Sequence, residues 1–336
     1  MTLRRAIACC LTTAAILFAG FAPPHARAEA MGIALEGFPY PHPVHFMPLI
    51  LERENLRLAY MDVAPLGPSN GRTVVLLHGR NFPSSYWEPT IKALSEAGYR
   101  VVAPDQIGFG KSSKPMFAYS FDAMARETIA LLDSLHVDRF DLVGHSMGGM
   151  LAVRLARAYG PRIDHLVLYS PIGLEDYCFY VPPVTDEELS SHERELTADG
   201  YRKQLMTTYA LSLPSSAIEP FVQLREEIRQ SGEYERWLKS FVNSYQMIYS
   251  QPVAHEIPLI DRPTLFIMGA NDHNAPGRPF APPELRAKMG QNAALAQTLA
   301  ARMANARVKV FEGVGHLGHL EATQAFNETL LGFLKQ

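Results

Sequence analysis

The stretch VGHSMGGM, Val143 to Met150, places one serine, Ser146, among Gly144, Gly148 and Gly149. It takes in the end of the apolar run FDLVG (Phe140–Gly144) and precedes LAVRLARAYG, whose apolar residues recur at helical spacing, so it marks a strand turning into a helix. A plain strand-to-helix turn accounts for the small residues alone. A G-x-S-x-G turn accounts for the serine as well. Its flanking positions must be small for strand and helix to approach, and the serine then stands above the sheet as a nucleophile. The helix N-terminus that follows supplies partial positive charge and free N–H groups for a developing anion.

Outward from this turn the chain alternates. TVVLLH (Thr73–His78), YRVVAPD (Tyr99–Asp105), FDLVGH (Phe140–His145) and IDHLVLYSP (Ile163–Pro171) read as buried strands. Helical patterns at Tyr86–Gly98, Ser120–His136 and from Met147 onward separate them. Such alternation predicts crossover units on a mostly parallel, doubly wound α/β sheet. Earlier, LRLAYMDV (Leu56–Val63) alternates like a half-buried strand, and the proline-rich Pro39–Pro48 reads as an extended lead-in. From about Leu174 to His255 no apolar strand is evident, and aromatic-rich helical stretches take over. This predicts a helical insertion at 174–255 in a core of residues 29–173 and 256–336. The sheet resumes at PTLFIMGA (Pro263–Ala270). A helix around Leu285–Met303, the strand RVKVFE and a closing helix from Glu321 complete the chain.

A serine hydroxyl needs a base, and the base an orienting acid. Asp272 follows the strand FIMG, and His316 follows the last strand in FEGVGHLGH. Both then lie beyond C-terminal strand ends, where open α/β sheets bind ligands. His319 is the rival base, although its place before Leu320 and Glu321 suits a helix start or the surface better. Glu175 and Asp176 are rival acids, and His273 points away from an exposed turn. His145 reads as a packing residue. One oxyanion donor is expected from the Met147 N–H and a second from the loop HGRNF, where Arg80, Asn81 or Phe82 turns inward, with Arg80 taken as the first choice. GFGKSS at Gly108–Ser113 resembles a phosphate loop, but Asp105 stands where that motif demands its first glycine.

Composition narrows the classes further. The chain has 336 residues, of which 47% are hydrophobic, enough for a large core. A formal net charge of −3 gives no footprint for nucleic acid. No H-x-x-x-H or H-E-x-x-H spacing appears, so neither metal nor cofactor is implied. At the start, Arg4 and Arg5 precede the uncharged run Ala6–Ala22, and Ala26-Arg27-Ala28 offers small residues for cleavage. This is the layout of a signal peptide, 1–28, and implies a periplasmic or secreted protein without stable membrane insertion. Removal of Cys9 and Cys10 leaves Cys178 alone, with no internal disulfide.

Taken together, LLHGRNF, VVAPDQIGFGKSS, LVGHSMGG, GANDHNAP and GVGHLGHLEAT resemble the α/β-hydrolase superfamily over about Thr73 to Thr323. The resemblance implies a helical cap over the site. It also implies Ser146, Asp272 and His316 as catalytic residues acting on a small-molecule ester. Members with aspartate at the turn hydrolyse haloalkanes and epoxides. Serine there points to ester, thioester, amide or C–C bonds. HGRN departs from the HGGG of many lipases, which argues against bulky acylglycerols. The expectation is a serine hydrolase of small carboxylic esters. The alternatives are C–C cleavage, cofactor-free perhydrolysis of the haloperoxidase kind, or a ligand-binding protein that has lost activity.

Export is checked by intact mass. Protein recovered from the native periplasm or medium is expected to begin at Glu29 or within a few residues of it. A full-length cytosolic species as the sole form would contradict cleavage.

Overall fold

The computed structural model describes residues 31–336, so the expected signal peptide lies outside the described residues. Eight strands form one sheet: β1 (Val44–Leu51), β2 (Glu54–Val63), β3 (Thr73–Leu77), β4 (Arg100–Pro104), β5 (Phe140–His145), β6 (Ile163–Tyr169), β7 (Thr264–Gly269) and β8 (Ala306–Phe311). Their order is β1-β2-β4-β3-β5-β6-β7-β8. The β1–β2 and β2–β4 pairs are antiparallel, and all others are parallel. The doubly wound α/β sheet expected from the sequence is present, and strands β5 and β7 are buried along their whole length.

Strand alternation divides the core into two layers. On one face Val75, Leu77, Leu142, Leu168 and Phe266 pack with Met124, Leu132, Leu151 and Leu299. These last four come from α2 (Phe121–Ser134), α3 (Met147–Tyr159) and α9 (Asn292–Ala300). On the other face Val74, Leu76, Val143 and Ile267 pack with Ile91, Leu94, Phe326 and Leu330. Those come from α1 (Glu88–Glu96) and α11 (Thr323–Leu334). Between β6 and β7 lie α4 (Asp186–Glu195), α5 (Ala198–Gln204), α6 (Ser215–Arg229) and α7 (Tyr234–Ser250), with no strand among them. Threonine caps explain two starts. Thr185 forms a capping box with Glu188 at α4, and Thr197 accepts from the Gly200 N–H at α5. One wide π-type turn, Leu205–Tyr209, follows α5.

Three local readings change. The proline-rich lead-in contributes to β1, where Pro48 pairs opposite Arg57. An edge strand accepts proline because its outer N–H positions need no partner. The helix expected at Leu285–Met303 is two helices, α8 (Pro283–Arg286) and α9. Gly290 breaks it with φ +76°, and its N–H donates to Glu175 Oε1 at 2.9 Å. The closing helix is likewise divided into α10 (Gly318–Glu321) and α11.

The glycines around Ser146 are required by close approach. A Cβ on Gly144 would lie 2.3 Å from the Gly148 carbonyl oxygen, and one on Gly148 would lie 2.4 Å from the Leu77 carbonyl oxygen. Strand β5, helix α3 and strand β3 thus meet backbone to backbone. Gly148→Ala is expected to lower the unfolding free energy by about 1–3 kcal/mol, the usual cost of overpacking. Gly332→Ala, on α11 with nothing within 4 Å of the added methyl, is expected to raise it by up to about 1 kcal/mol through helix propensity. Urea denaturation of both variants reads the two signs.

Candidate active site

The C-terminal ends of β3, β5, β7 and β8 deliver their following loops to one edge of the sheet. Ser146 occupies the sharp turn between β5 and α3, with φ 56° and ψ −118°. This left-handed backbone is costly for a non-glycine residue. It is fixed by Ser146 N–H donating to Tyr169 O at 3.1 Å, and by its carbonyl accepting from Gly149 and Ile172. The side chain lines a cavity of about 140 Å³ together with Gly79, Arg80, Phe241, Asn274 and His316.

Asp272 and His316 meet as the sequence anticipated. Buried Asp272 Oδ2 accepts from His316 Nδ1 at 2.8 Å. Its other oxygen accepts from the Asn274 N–H at 3.0 Å and from Asn292 Nδ2 at 3.4 Å. With its proton on Nδ1, His316 presents a lone pair at Nε2, and Asn274 Nδ2 lies 3.3 Å from it. Ser146 and His316 line the same cavity, and no hydrogen bond joins their side chains.

The rivals are engaged elsewhere. Glu175 accepts from Gly290 N–H, and Asp176 caps the short turn at Cys178. His273 Nδ1 donates to Gly290 O at 2.9 Å. His319 begins a helix as expected but is not a surface residue. Its ring is fully enclosed, close to Tyr86, Trp87, Tyr169 and Phe326. Burial drives its pKa down to about 3. The sequence could not show this, because the enclosing aromatics are distant in the chain.

His145 does more than pack. Gly79 N–H donates to Tyr86 Oη at 3.0 Å, leaving the Tyr86 hydroxyl hydrogen for His145 Nδ1 at 2.8 Å. His145 Nε2–H then donates to His316 O at 3.0 Å. The chain requires a neutral imidazole. Burial, followed by the nearby His316 and His319, holds the His145 pKa well below its ordinary value. Tyr169 Oη, 3.2 Å from the same His316 carbonyl, donates to it as well. The His316 N–H donates to Tyr209 O at 2.8 Å. One buried network thereby ties the β3 loop, the β5 turn and the β8 loop together.

The same network bears on anion binding. Gly79 N–H is spent on Tyr86, so the β3 loop offers its later N–H groups, of which Arg80 is the first. A Cβ on Gly79 would lie 3.0 Å from Ser146 Cβ, which shows how closely this loop approaches the serine. Met147 opens α3, where helix N–H groups have no intrahelical partner. The loop resembling a phosphate cradle folds instead around a carboxylate. Asp105 accepts from Lys111 N–H at 2.7 Å, Ser84 N–H at 2.8 Å and Tyr40 Oη at 2.6 Å.

Residues 74–329 match the family model described as "Alpha/beta hydrolase family", and the chain belongs to that family of hydrolases. A solved structure from Pseudomonas aeruginosa PAO1, described as "a probable hydrolytic enzyme", is 39% identical with a TM-score of 0.89, over 92% of this chain and 99% of that one. A 2-hydroxy-6-oxononadienedioate/2-hydroxy-6-oxononatrienedioate hydrolase of Paraburkholderia phymatum is 30% identical over 84% of this chain and 92% of its own. A non-heme haloperoxidase of Rhodococcus erythropolis is 26% identical over 86% and 100%.

Tyr86→Phe isolates the network. It leaves the Gly79 N–H and His145 Nδ1 without their shared partner. An unpaired buried polar group costs about 1–3 kcal/mol, and a loss of that size is expected in urea denaturation. No loss would remove Tyr86 from the network.

Proposed function

We propose that this hydrolase uses Ser146 as nucleophile, His316 as general base and Asp272 as its orienting acid, on a small carboxylic ester. The observation that carries this reading is the 2.8 Å bond from His316 Nδ1 to Asp272 at a cavity edge shared with Ser146. Ser146 Oγ attacks the carbonyl carbon and passes its proton to His316 Nε2. The weak 3.3 Å contact from Asn274 yields Nε2 to the serine as substrate binds. Negative charge on the carbonyl oxygen is met by the N–H groups of Met147 and Arg80. The tetrahedral adduct then collapses as His316 returns the proton to the leaving alkoxide. Water repeats the sequence on the acyl-enzyme.

A second reading has support from the Paraburkholderia relative, which is named for an oxo-dienedioate. Here the same residues would cleave a C–C bond beside a ketone, with a carbanion in place of the alkoxide. Helices α4 to α7 act in both readings as a cap that selects substrate. We further propose export to the periplasm or medium, supported by the arginine pair, apolar run and Ala-Arg-Ala of the N-terminus.

The test combines a probe and a panel. A neutral fluorophosphonate is expected to label the wild type and not Ser146→Ala, and Ser146→Ala or His316→Ala is expected to cut turnover by roughly 10⁶. Labelling that survives Ser146→Ala would place the nucleophile elsewhere. p-Nitrophenyl esters of increasing chain length, set against vinylogous 1,5-diketones, separate ester from C–C cleavage.

A further inference from the structure

Arg80 presents its side chain to the same cavity as Ser146. Nε donates to Ser244 Oγ at 2.7 Å and Nη2 to Phe241 O at 2.9 Å, both on α7. The guanidinium carbon lies 3.5 Å above the centre of the Phe241 ring. These contacts fix the orientation of the group without neutralising it. No carboxylate pairs with Arg80 among the described residues, and its Nη1 has no hydrogen-bond partner there. The neighbouring cation, Arg225, is paired with buried Glu193. The cavity wall therefore holds two guanidinium groups against one carboxylate, with the remaining positive charge on Arg80. Tyr245, one residue beyond Ser244, lines the same cavity, and its buried Oη has no hydrogen-bond partner among the described residues.

Arg80 is half-buried at the cavity wall, and a charge with reduced access to water is stabilised when an opposite charge meets it. Burial lowers the Arg80 pKa only to about 10, so the group stays charged at neutral pH. A planar guanidinium clamped on an aromatic face, with Nη1 free, presents the fork that suits a carboxylate.

We propose that the substrate is an anion: a carbonyl compound carrying a carboxylate remote from the scissile bond, which Arg80 and Tyr245 hold while Ser146 reaches the carbonyl. This rests on the serine-hydrolase reading for the chemistry, but not for the binding. The substrate class is then a half-ester of a dicarboxylic acid or an oxo-acid, in place of a simple neutral ester.

Two matched esters test it. Mono-p-nitrophenyl adipate and p-nitrophenyl hexanoate share chain length and leaving group and differ in the terminal carboxylate. In the wild type, kcat/KM for the adipate ester is expected to exceed that for the hexanoate ester by at least tenfold. The difference should lie mainly in KM and shrink as sodium chloride is raised. Arg80→Gln is expected to abolish or invert the ratio, Arg80→Lys to keep part of it, and Tyr245→Phe to reduce it. Equal or reversed preference in the wild type, or a preference that survives Arg80→Gln, would overturn the proposal. Titration calorimetry with adipate itself gives a readout independent of Ser146. Adipate is expected to bind the wild type at least tenfold more tightly than Arg80→Gln, with circular dichroism confirming that the variant is folded. Absence of adipate binding to the wild type sinks the anion site even if the probe labels Ser146. Adipate binding without labelling leaves the site standing and rejects the serine nucleophile.

Discussion

Helix α3 and strand β3 approach so closely that Gly148 has no room for a methyl group beside the Leu77 carbonyl. Everything at the sheet edge depends on that approach. It brings the start of α3 to the end of β3, so that Gly79 reaches Ser146 and the α3 N-terminus faces the same cavity. It also forces the turn at Ser146 into a left-handed backbone, which directs the serine out of the sheet instead of into either core layer. The strain is local and the packing that enforces it is extensive, since Leu76, Leu77, Val143 and Leu151 are all fully enclosed. Strain of this kind persists where the surroundings over-determine it.

The second level of order is polar. Hydrogen bonds from His145 and Tyr169 meet on the His316 carbonyl, and the His316 amide is bonded to Tyr209. A loop held by both its carbonyl and its N–H has little freedom to rotate the imidazole away from Asp272. Low local dielectric strengthens each of these bonds and raises the penalty for leaving one unmade. His145 is thus a neutral spacer whose two nitrogens face opposite ways, one toward the β3 loop through Tyr86 and one toward the β8 loop. The sequence points to a packing residue at this position, and His145 does pack, stacked on Tyr169 with ring centres 4.5 Å apart.

What was legible in the sequence follows from the range of the forces involved. Strands β3 to β7 are short, mainly apolar runs bounded by turn residues, and β8 alternates charged and apolar residues; both signals are contained within each segment. The positions of Asp272 and His316 just after strand ends were legible, and the structure brings the two side chains together. Strand β1 was not fully legible because Pro48 and His45 interrupt its pattern, and its pairing with β2 supplies what local sequence does not. The break at Gly290 depends on Glu175, 115 residues away. The burial of His319, the Tyr86 bridge and the contacts of Asn274 and Asn292 all join segments remote in the chain. Glycine spacing announces a close approach of backbones, whereas no comparable pattern announces which tyrosine will fill a given gap.

Arg80 belongs to two structures at once. Its backbone continues the loop beside the serine, and its guanidinium is fastened to Phe241 and Ser244 on α7. A shift of α7 therefore pulls on the main chain next to Ser146, and the helices from 174 to 255 are not an interchangeable module. A chimera that imports this segment from another member of the family would leave a half-buried cation without its anchor wherever the donor lacks a hydroxyl in place of Ser244. Transplantation would then have to treat the β3 loop and α7 as a single inherited unit, exchanged together or left alone.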